Sequence, residues 1–264
     1  MAKAMDSLPG SIRCYVSPMS SFIFYPAITS IASDLGVTVG NVNLAITTYM
    51  IVSGITPALL GNAADKFGRR PIYILALSIY IVANIGLALQ SSFPALLVSR
   101  MLQSAGSSGT ISLGYGIISD IASPSERGSY VGLFNLGPNV APPLGPVLGG
   151  AIAANLGWRW IFWFIAILGG TCLLLVFLAL SETARGVVGN GQVPANGLNR
   201  MPIPFVLNGK KGDTEVYNEP AEARKWSFPN PITCLKLLLE NDIFIVLLCN
   251  GIYYATYCCV QASL

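Results

Sequence analysis

Apolar residues run along this chain in long blocks, separated by short stretches of polar or turn-forming residues. A helix that crosses a bilayer takes about 20 mostly apolar residues. Blocks of that kind fall at Cys14–Ile31, Asn41–Leu60, Ile72–Leu89, Ala95–Ser119, Tyr130–Ala154, Trp160–Leu180 and Ile243–Leu264. The first is the weakest, because it carries Pro18, Pro26 and several serines. Between the sixth and seventh blocks, Ser181–Asp242 holds Gly, Pro, Asn and both signs of charge. That composition predicts a linker, largely disordered, with a short amphipathic helix near Pro231–Leu239. The predicted fold is therefore all-α, a polytopic membrane bundle. A tail covers residues 1–13, a six-helix bundle 14–180, the linker 181–242 and a seventh span 243–264.

Composition sharpens this picture. Charged residues are 10% of the chain, against about 25% in a typical soluble domain. Hydrophobic residues are 53% and mean hydropathy is +0.62. The charges are segregated, with 13 in residues 1–180, 14 in 181–242 and none in 243–264. A water-soluble enzyme and a nucleic-acid binder are both excluded on these grounds, and the expected partner is the lipid bilayer. No histidine occurs, which removes Ser-His-Asp and Cys-His nucleophile pairs and histidine-ligated metal sites. Cys14, Cys172, Cys234, Cys249, Cys258 and Cys259 form no C-x-x-C and read as packing residues. No metal site and no cofactor is expected, and without a G-x-x-x-x-G-K-[ST] string an ATP-driven pump has no support.

Lys and Arg concentrate on the cytosolic side of membrane proteins. With the N-terminus inside, the inner segments hold 13 of the 15 cations, Arg159 lies outside and Arg100 lies within a span. The N-terminus and linker are thus expected to be cytosolic. Six spans, a long inner linker and further spans make the layout of a transporter built from two halves. One span after the linker does not mirror six before it. The chain therefore reads as truncated after its seventh span and is not expected to transport alone; a separate carboxyl half or another copy would complete it.

Three strings carry candidate chemistry. Gly61-Asn62-Ala63-Ala64-Asp65-Lys66-Phe67-Gly68-Arg69-Arg70-Pro71 joins the second and third spans. Gly61 allows close helix approach, Asp65 can pair with a cation or cap a helix, Gly68 supplies the turn, and Arg69 and Arg70 anchor at the inner surface. Pro71 opens the third span at an N1-like position. A positive-inside hairpin would look similar, but the ordered G-x-x-x-D-K-x-G-R-R-P string is more specific. Arg100-Met101-Leu102-Gln103-Ser104-Ala105-Gly106 puts a charge within a span, at a cost of roughly 2.5–3.5 kcal/mol. Arg100 either snorkels to the outer interface, about 9 Å away along the helix, or meets a cavity with Gln103 one turn on. Gly106, Thr110 and Gly114 recur every four positions and suggest tight packing. In the fifth block, Gly137, Ala141, Gly145 and Gly149 form one smooth stripe, among the four prolines of Gly137–Gly150.

These strings are similar to those of the major facilitator superfamily. The Gly61–Pro71 string resembles the family's signature loop, which locks and releases the helices that gate the inner side; the resemblance implies that role for Gly61, Asp65, Lys66, Gly68, Arg69 and Arg70. R-x-x-Q-x-x-G is similar to the family's fourth-helix motif, linked to proton coupling. G-P-x-x-G-G, with Gly145, Pro146, Gly149 and Gly150, resembles the motif that marks antiporters. Asp120–Gly128 looks like the inner loop after the fourth span, where Asp120 could pair with the first loop's arginines or stay in a solvated turn. Trp158-Arg159-Trp160-Ile161-Phe162-Trp163 resembles the start of the sixth span, and also reads as an interfacial aromatic belt. Ser181-Glu182-Thr183 is similar to a P-E-T that closes it. Phe24-Tyr25-Pro26-Ala27 and Thr47-Thr48-Tyr49 look like fungal drug:proton antiporters. Arg13, where apolar residues are expected, and the stop at Leu264 depart from the pattern.

The resemblance implies alternating access, with proton entry driving exit of a small amphipathic drug or secondary metabolite. The cavity-facing candidates are Tyr25, Tyr49, Arg100, Gln103 and Asn135. No Asp or Glu falls inside any span, so a proton carrier must come from the other half, or Arg100 must act by shifting a partner's pKa. The rival expectations are an uptake carrier for sugars or organic acids and a non-transporting membrane protein; an enzyme has no nucleophile–base pair to work with. The plasma membrane is the expected location, with the vacuolar membrane as the alternative.

Overall fold

The computed structural model describes residues 18–123, 125–179 and 240–263. The tail 1–13, the start of the first block and nearly all of the linker, including Pro231–Leu239, lie outside the described residues. The chain divides into two compact units, Met1–Pro220 and Ala221–Leu264. Besides a helical stretch at residues 18–22, the described residues form seven α-helices and no strand: α1 (Ile28–Leu35), α2 (Val39–Phe67), α3 (Arg69–Leu89), α4 (Phe93–Ile121), α5 (Arg127–Leu156), α6 (Arg159–Ala179) and α7 (Asn241–Ser263). The first six belong to the first unit, and α7 is the described helix of the second.

The helices run past the predicted blocks at several ends. In α2, Gly61 to Phe67 stay helical, so the whole change of direction falls on Gly68 at φ +107°. That backbone region favours glycine, which has no Cβ to clash. Because α3 begins at Arg69, Pro71 is its third residue rather than its first; its missing N–H is still one the helix start leaves without a partner. α2, α3 and α6 are long and apolar enough on composition alone to cross a bilayer. α4 and α5 have the length, at 29 and 30 residues, but dilute their apolar positions with Ser, Gly and Pro.

Pro26 shapes the first segment. Residues 18–22 are helical, and the ladder then breaks into a 3-10 turn at Tyr25–Ala27 before α1. Proline has no N–H to donate back to Phe22, and its ring crowds the preceding turn. α5 closes on the backbone at this break. A Cβ on Gly145 would stand 2.7 Å from Phe22 Cβ, and one on Gly149 would collide with the Ile23 carbonyl oxygen. The smooth stripe thus packs α5 against the first segment, while the prolines of α5 sit in an unbroken helix.

α4 is the central helix and packs along both α2 and α3, and α3 also packs along α6. At Gly106 the α4 and α3 backbones nearly touch: a Cβ would lie 2.6 Å from the Ala76 carbonyl oxygen. Gly114 faces Phe134 of α5 instead, so the four-residue stripe of α4 serves two neighbours. Apolar side chains form two clusters. One gathers Ile23, Phe24, Ile31, Val42, Leu87, Leu96, Ile161 and Phe162. The other gathers Ala64, Tyr73, Leu77, Leu113, Ile117 and Val176 at the end that carries the α2–α3 turn. Cys172 packs in the first cluster, whereas Cys249 and Cys259 are exposed on α7 and do not fill a core within their own unit.

Gly149→Ala is expected to lower stability by about 1–3 kcal/mol, as overpacking a tight contact does. Gly150, whose Cβ would meet only Pro26 at an ordinary 3.9 Å, should accept Gly150→Ala with no loss. Thermal unfolding of both variants in detergent checks this contrast.

Candidate functional site

Between the two apolar clusters lies a buried polar layer. Following α4, buried Leu96 is succeeded by Arg100, Gln103, Ser104, Ser107, Ser108 and Thr110, all buried, before the apolar run resumes at Leu113. Arg100 is 1% exposed. It does not snorkel: its side chain turns inward. Nη1 donates to Gln103 Oε1 at 2.6 Å and to the Ser20 carbonyl at 3.4 Å. The guanidinium lies 3.9 Å from the centre of the Phe24 ring and 5.0 Å from that of Tyr49, where the π faces attract a cation. Among the described residues Arg100 has no carboxylate partner, and its Nε makes no hydrogen bond.

The layer spreads into the neighbouring helices. Gln103 Nε2 donates to Asn84 Oδ1 at 2.6 Å, and Asn84 Nδ2 donates to the Tyr80 carbonyl at 2.7 Å. Tyr49 Oη shares hydrogen bonds with Ser107 Oγ at 2.9 Å and Ser20 Oγ at 3.3 Å, and Ser104 Oγ donates to the Tyr49 carbonyl at 2.6 Å. Tyr49, Arg100 and Gln103 are thus brought together inside this half. Tyr25 is half-buried, its ring 6.2 Å from that of Phe22, and Asn135 is half-buried on α5, where it bonds Tyr115. Sequence reasoning missed Ser20, Asn84, Ser104 and Ser107. Asn84 had a signal, as a lone amide within the apolar run of the third block.

At the end with the α2–α3 turn, Arg69 is held by two carboxylates. Nη2 pairs with Asp65 at 2.9 Å and Nε donates to Asp120 at 2.6 Å. This ties α2, the start of α3 and the end of α4. Gly116 makes room for it, since a Cβ there would collide with the Arg69 guanidinium. Gly61 packs on Ser112, 3.2 Å from where its Cβ would be. Lys66 sits half-buried in the last turn of α2. Arg70 is not a surface anchor as its sequence position suggested: it is 1% exposed, and Nη2 donates to the Phe177 carbonyl of α6 at 2.9 Å.

At the opposite end Asp34 receives the Trp158 indole N–H at 3.2 Å and pairs with Arg159 at 3.4 Å. Trp158 is buried and edge-on to Phe162, so it belongs to the core rather than to an aromatic belt; Trp160 is the exposed one. A third polar group lies on α4 and α5. Tyr115 Oη donates to Asn135 Oδ1 at 2.6 Å, and Asn139 Nδ2 donates to the Asn135 carbonyl at 2.9 Å. Tyr115 and Asn139 are exposed and escaped the sequence reading. In the antiporter-type string, Gly145 and Gly149 are buried contacts, while Pro146 and Gly150 are half-buried.

Gly116→Ala should push the Arg69 guanidinium off Asp120. Gly116→Ala and Asp120→Asn then act on one interaction, and the double variant should lose less stability than the sum, by about 0.5 kcal/mol or more. Additive losses in thermal unfolding would contradict the geometry.

The comparisons with known proteins agree with this architecture. The sequence profile of the Major Facilitator Superfamily matches residues 15–261. MFS-type transporter phiD of Fungal sp. (strain ATCC 74256) is 42% identical over 253 residues, covering 95% of this chain and 38% of that protein. Citrate exporter 1 of Aspergillus niger is 39% identical over 253 residues, covering 96% and 48%. The chain spans about half the length of these curated relatives, or less. Among solved structures, the proton:xylose symporter XylE bound to 6-bromo-6-deoxy-D-glucose superposes with a TM-score of 0.63 at 16% identity, over 71% of this chain and 47% of that one. The human organic anion transporter MFSD10 gives a TM-score of 0.54 at 22% identity, over 69% and 48%; at such identities the likeness concerns the fold. The seven helices fit an N-terminal half of that fold, and this multi-pass membrane chain belongs to the Major Facilitator Superfamily of transporters.

Proposed function

We propose that this chain forms the amino-terminal half of a proton-coupled exporter of drugs or secondary metabolites that works by alternating access. The observation that carries the reading is the α5 stripe. The G-P-x-x-G-G string places Gly145 and Gly149 directly on the backbone of residues 22–23, with no space for a side chain. This makes α5 and the first segment one tight unit, as a helix that must stay sealed against proton leak requires. A relative named Citrate exporter 1 supports outward transport.

The remaining parts take roles within that reading. With 13 of 15 cations on one side, this reading puts the N-terminus and linker in the cytosol. The Asp65–Arg69–Asp120 cluster is then an inner-side clamp. It holds α2, α3 and α4 together, and opening inward must loosen it. Arg100 has no carboxylate partner among the described residues, so the proton-carrying acid comes from the other half of the carrier or from the cargo. Alternating access itself belongs to both halves rocking around a midplane site.

Efflux from yeast lacking its own exporters tests this, using a radiolabelled panel that includes antifungals and citrate. Completed with a carboxyl half from a full-length relative, the chain should lower retention of at least one compound where the 264-residue chain alone does not; a protonophore should abolish that effect, and Arg100→Met should do the same while remaining folded in the membrane. Efflux indifferent to the protonophore would overturn the coupling. Retention unchanged for the whole panel would overturn export.

A further inference from the structure

The Tyr115–Asn135–Asn139 group lies outside the Arg100 network, and of its members only Asn135 was a cavity-facing candidate from the sequence. α5 buries Gly137, Ala141, Gly145 and Gly149. The row Asn135, Asn139, Pro143 and Val147 lies roughly opposite, at the same four-residue spacing; its last three members are exposed. Asn135 and Asn139 stand roughly 12 and 18 Å along the helix from Arg127, well within membrane depth. Polar side chains at that depth face a bundle interior or a water-filled cavity, because hydrocarbon offers them no partner. The row changes character along its length, amide toward the α4–α5 turn and apolar beyond, and Leu136, Val140 and Leu144 beside it are exposed.

The bonding state of the group describes what it could hold. Asn135 spends its Oδ1 on Tyr115, and Asn139 spends its Nδ2 on a backbone carbonyl. Asn135 Nδ2 and Asn139 Oδ1 take no hydrogen bond among the described residues. One free donor and one free acceptor are therefore presented side by side, next to an apolar strip. No Lys or Arg occurs in α4 after Arg100 or in α5 after Arg127, and Arg100 itself is sealed inside the bundle. An anion on this face would have no countercharge from either helix.

We infer that Tyr115, Asn135 and Asn139 form a cargo-contacting subsite for uncharged, hydroxyl- or carbonyl-bearing amphipathic compounds. This rests on the export reading above, and deepens it by naming residues and a cargo class. Tyr115 fixes the Asn135 amide so that its N–H donors face the cavity. Asn139 accepts from a cargo hydroxyl, and the apolar strip covers the cargo's carbon skeleton.

Cysteine labelling of the full chain in membranes tests the subsite separately from transport. Asn139→Cys is compared with Val82→Cys, whose parent is 66% exposed on the outer side of α3, and with the unsubstituted chain as background. The reagent is a membrane-impermeant, charged methanethiosulfonate, which needs a thiolate and hence water at the site. Asn139→Cys should react about tenfold faster than Val82→Cys, and cycloheximide or griseofulvin, both uncharged, should slow it where citrate does not. Equal rates would place the row against lipid or protein and overturn the inference. Fast labelling that no probe slows would overturn the contact with cargo. Protection by citrate alone would overturn the uncharged class. Each of these results stands apart from the export reading, which the yeast efflux panel decides on its own.

Discussion

A guanidinium held away from water must be surrounded by groups that face its charge, and Arg100 organises the middle of this bundle through that need. No carboxylate answers it among the described residues. Instead the carbonyl of Ser20, the amide of Gln103 and the rings of Phe24 and Tyr49 converge on it, from the first segment, from α2 and from α4 itself. Each of these must keep its place or the charge is left bare, at a cost well above that of a lost neutral hydrogen bond. Gln103 passes the constraint to Asn84 of α3. A polar layer between two apolar clusters therefore fixes the register of four helical segments, which apolar contacts alone would let slide.

The two ends are held differently. At the α2–α3 turn, Arg69 bridges two carboxylates, the mostly buried Asp120 and the exposed Asp65, with Gly116 leaving it space. At the other end Asp34 meets Arg159 where both are about half exposed, and such pairs contribute little in water; the buried Trp158 ring holds that end together. An asymmetric arrangement of this sort suits a half-carrier in which one end is clamped by charge and the other by packing. The α5 stripe adds a third fixed contact, against the backbone of residues 22–23.

Much of the architecture was legible because it follows from periodic apolar blocks and from cation placement, both local properties. Helix ends were less so. The run from Gly61 to Phe67 looks like a loop by its glycine and charges, yet it continues α2, since nothing before Gly68 breaks the ladder. Arg69 and Arg70 are neighbours of one type in the sequence. Their fates diverge because successive helical positions point about 100° apart, one toward Asp120 and the other into α6. Asn84 and Gly116 gained meaning only from what α4 brings beside them. The pairing of Tyr115 with Asn135 depends on how α4 crosses α5, which no single-helix pattern encodes. Trp158 was read as interfacial from its aromatic company, and its burial against Phe162 showed otherwise.

The central claim is that Arg100 is a sealed, fully enclosed cation. Hydrogen–deuterium exchange of the arginine side chains measures this directly, using chain labelled with 15N-arginine in detergent and the Arg100 signals identified by their loss in Arg100→Lys. The account predicts that the Arg100 Nη–H signal persists after transfer to deuterated water when those of the exposed arginines have gone. Loss of the Arg100 signal together with the others would contradict it.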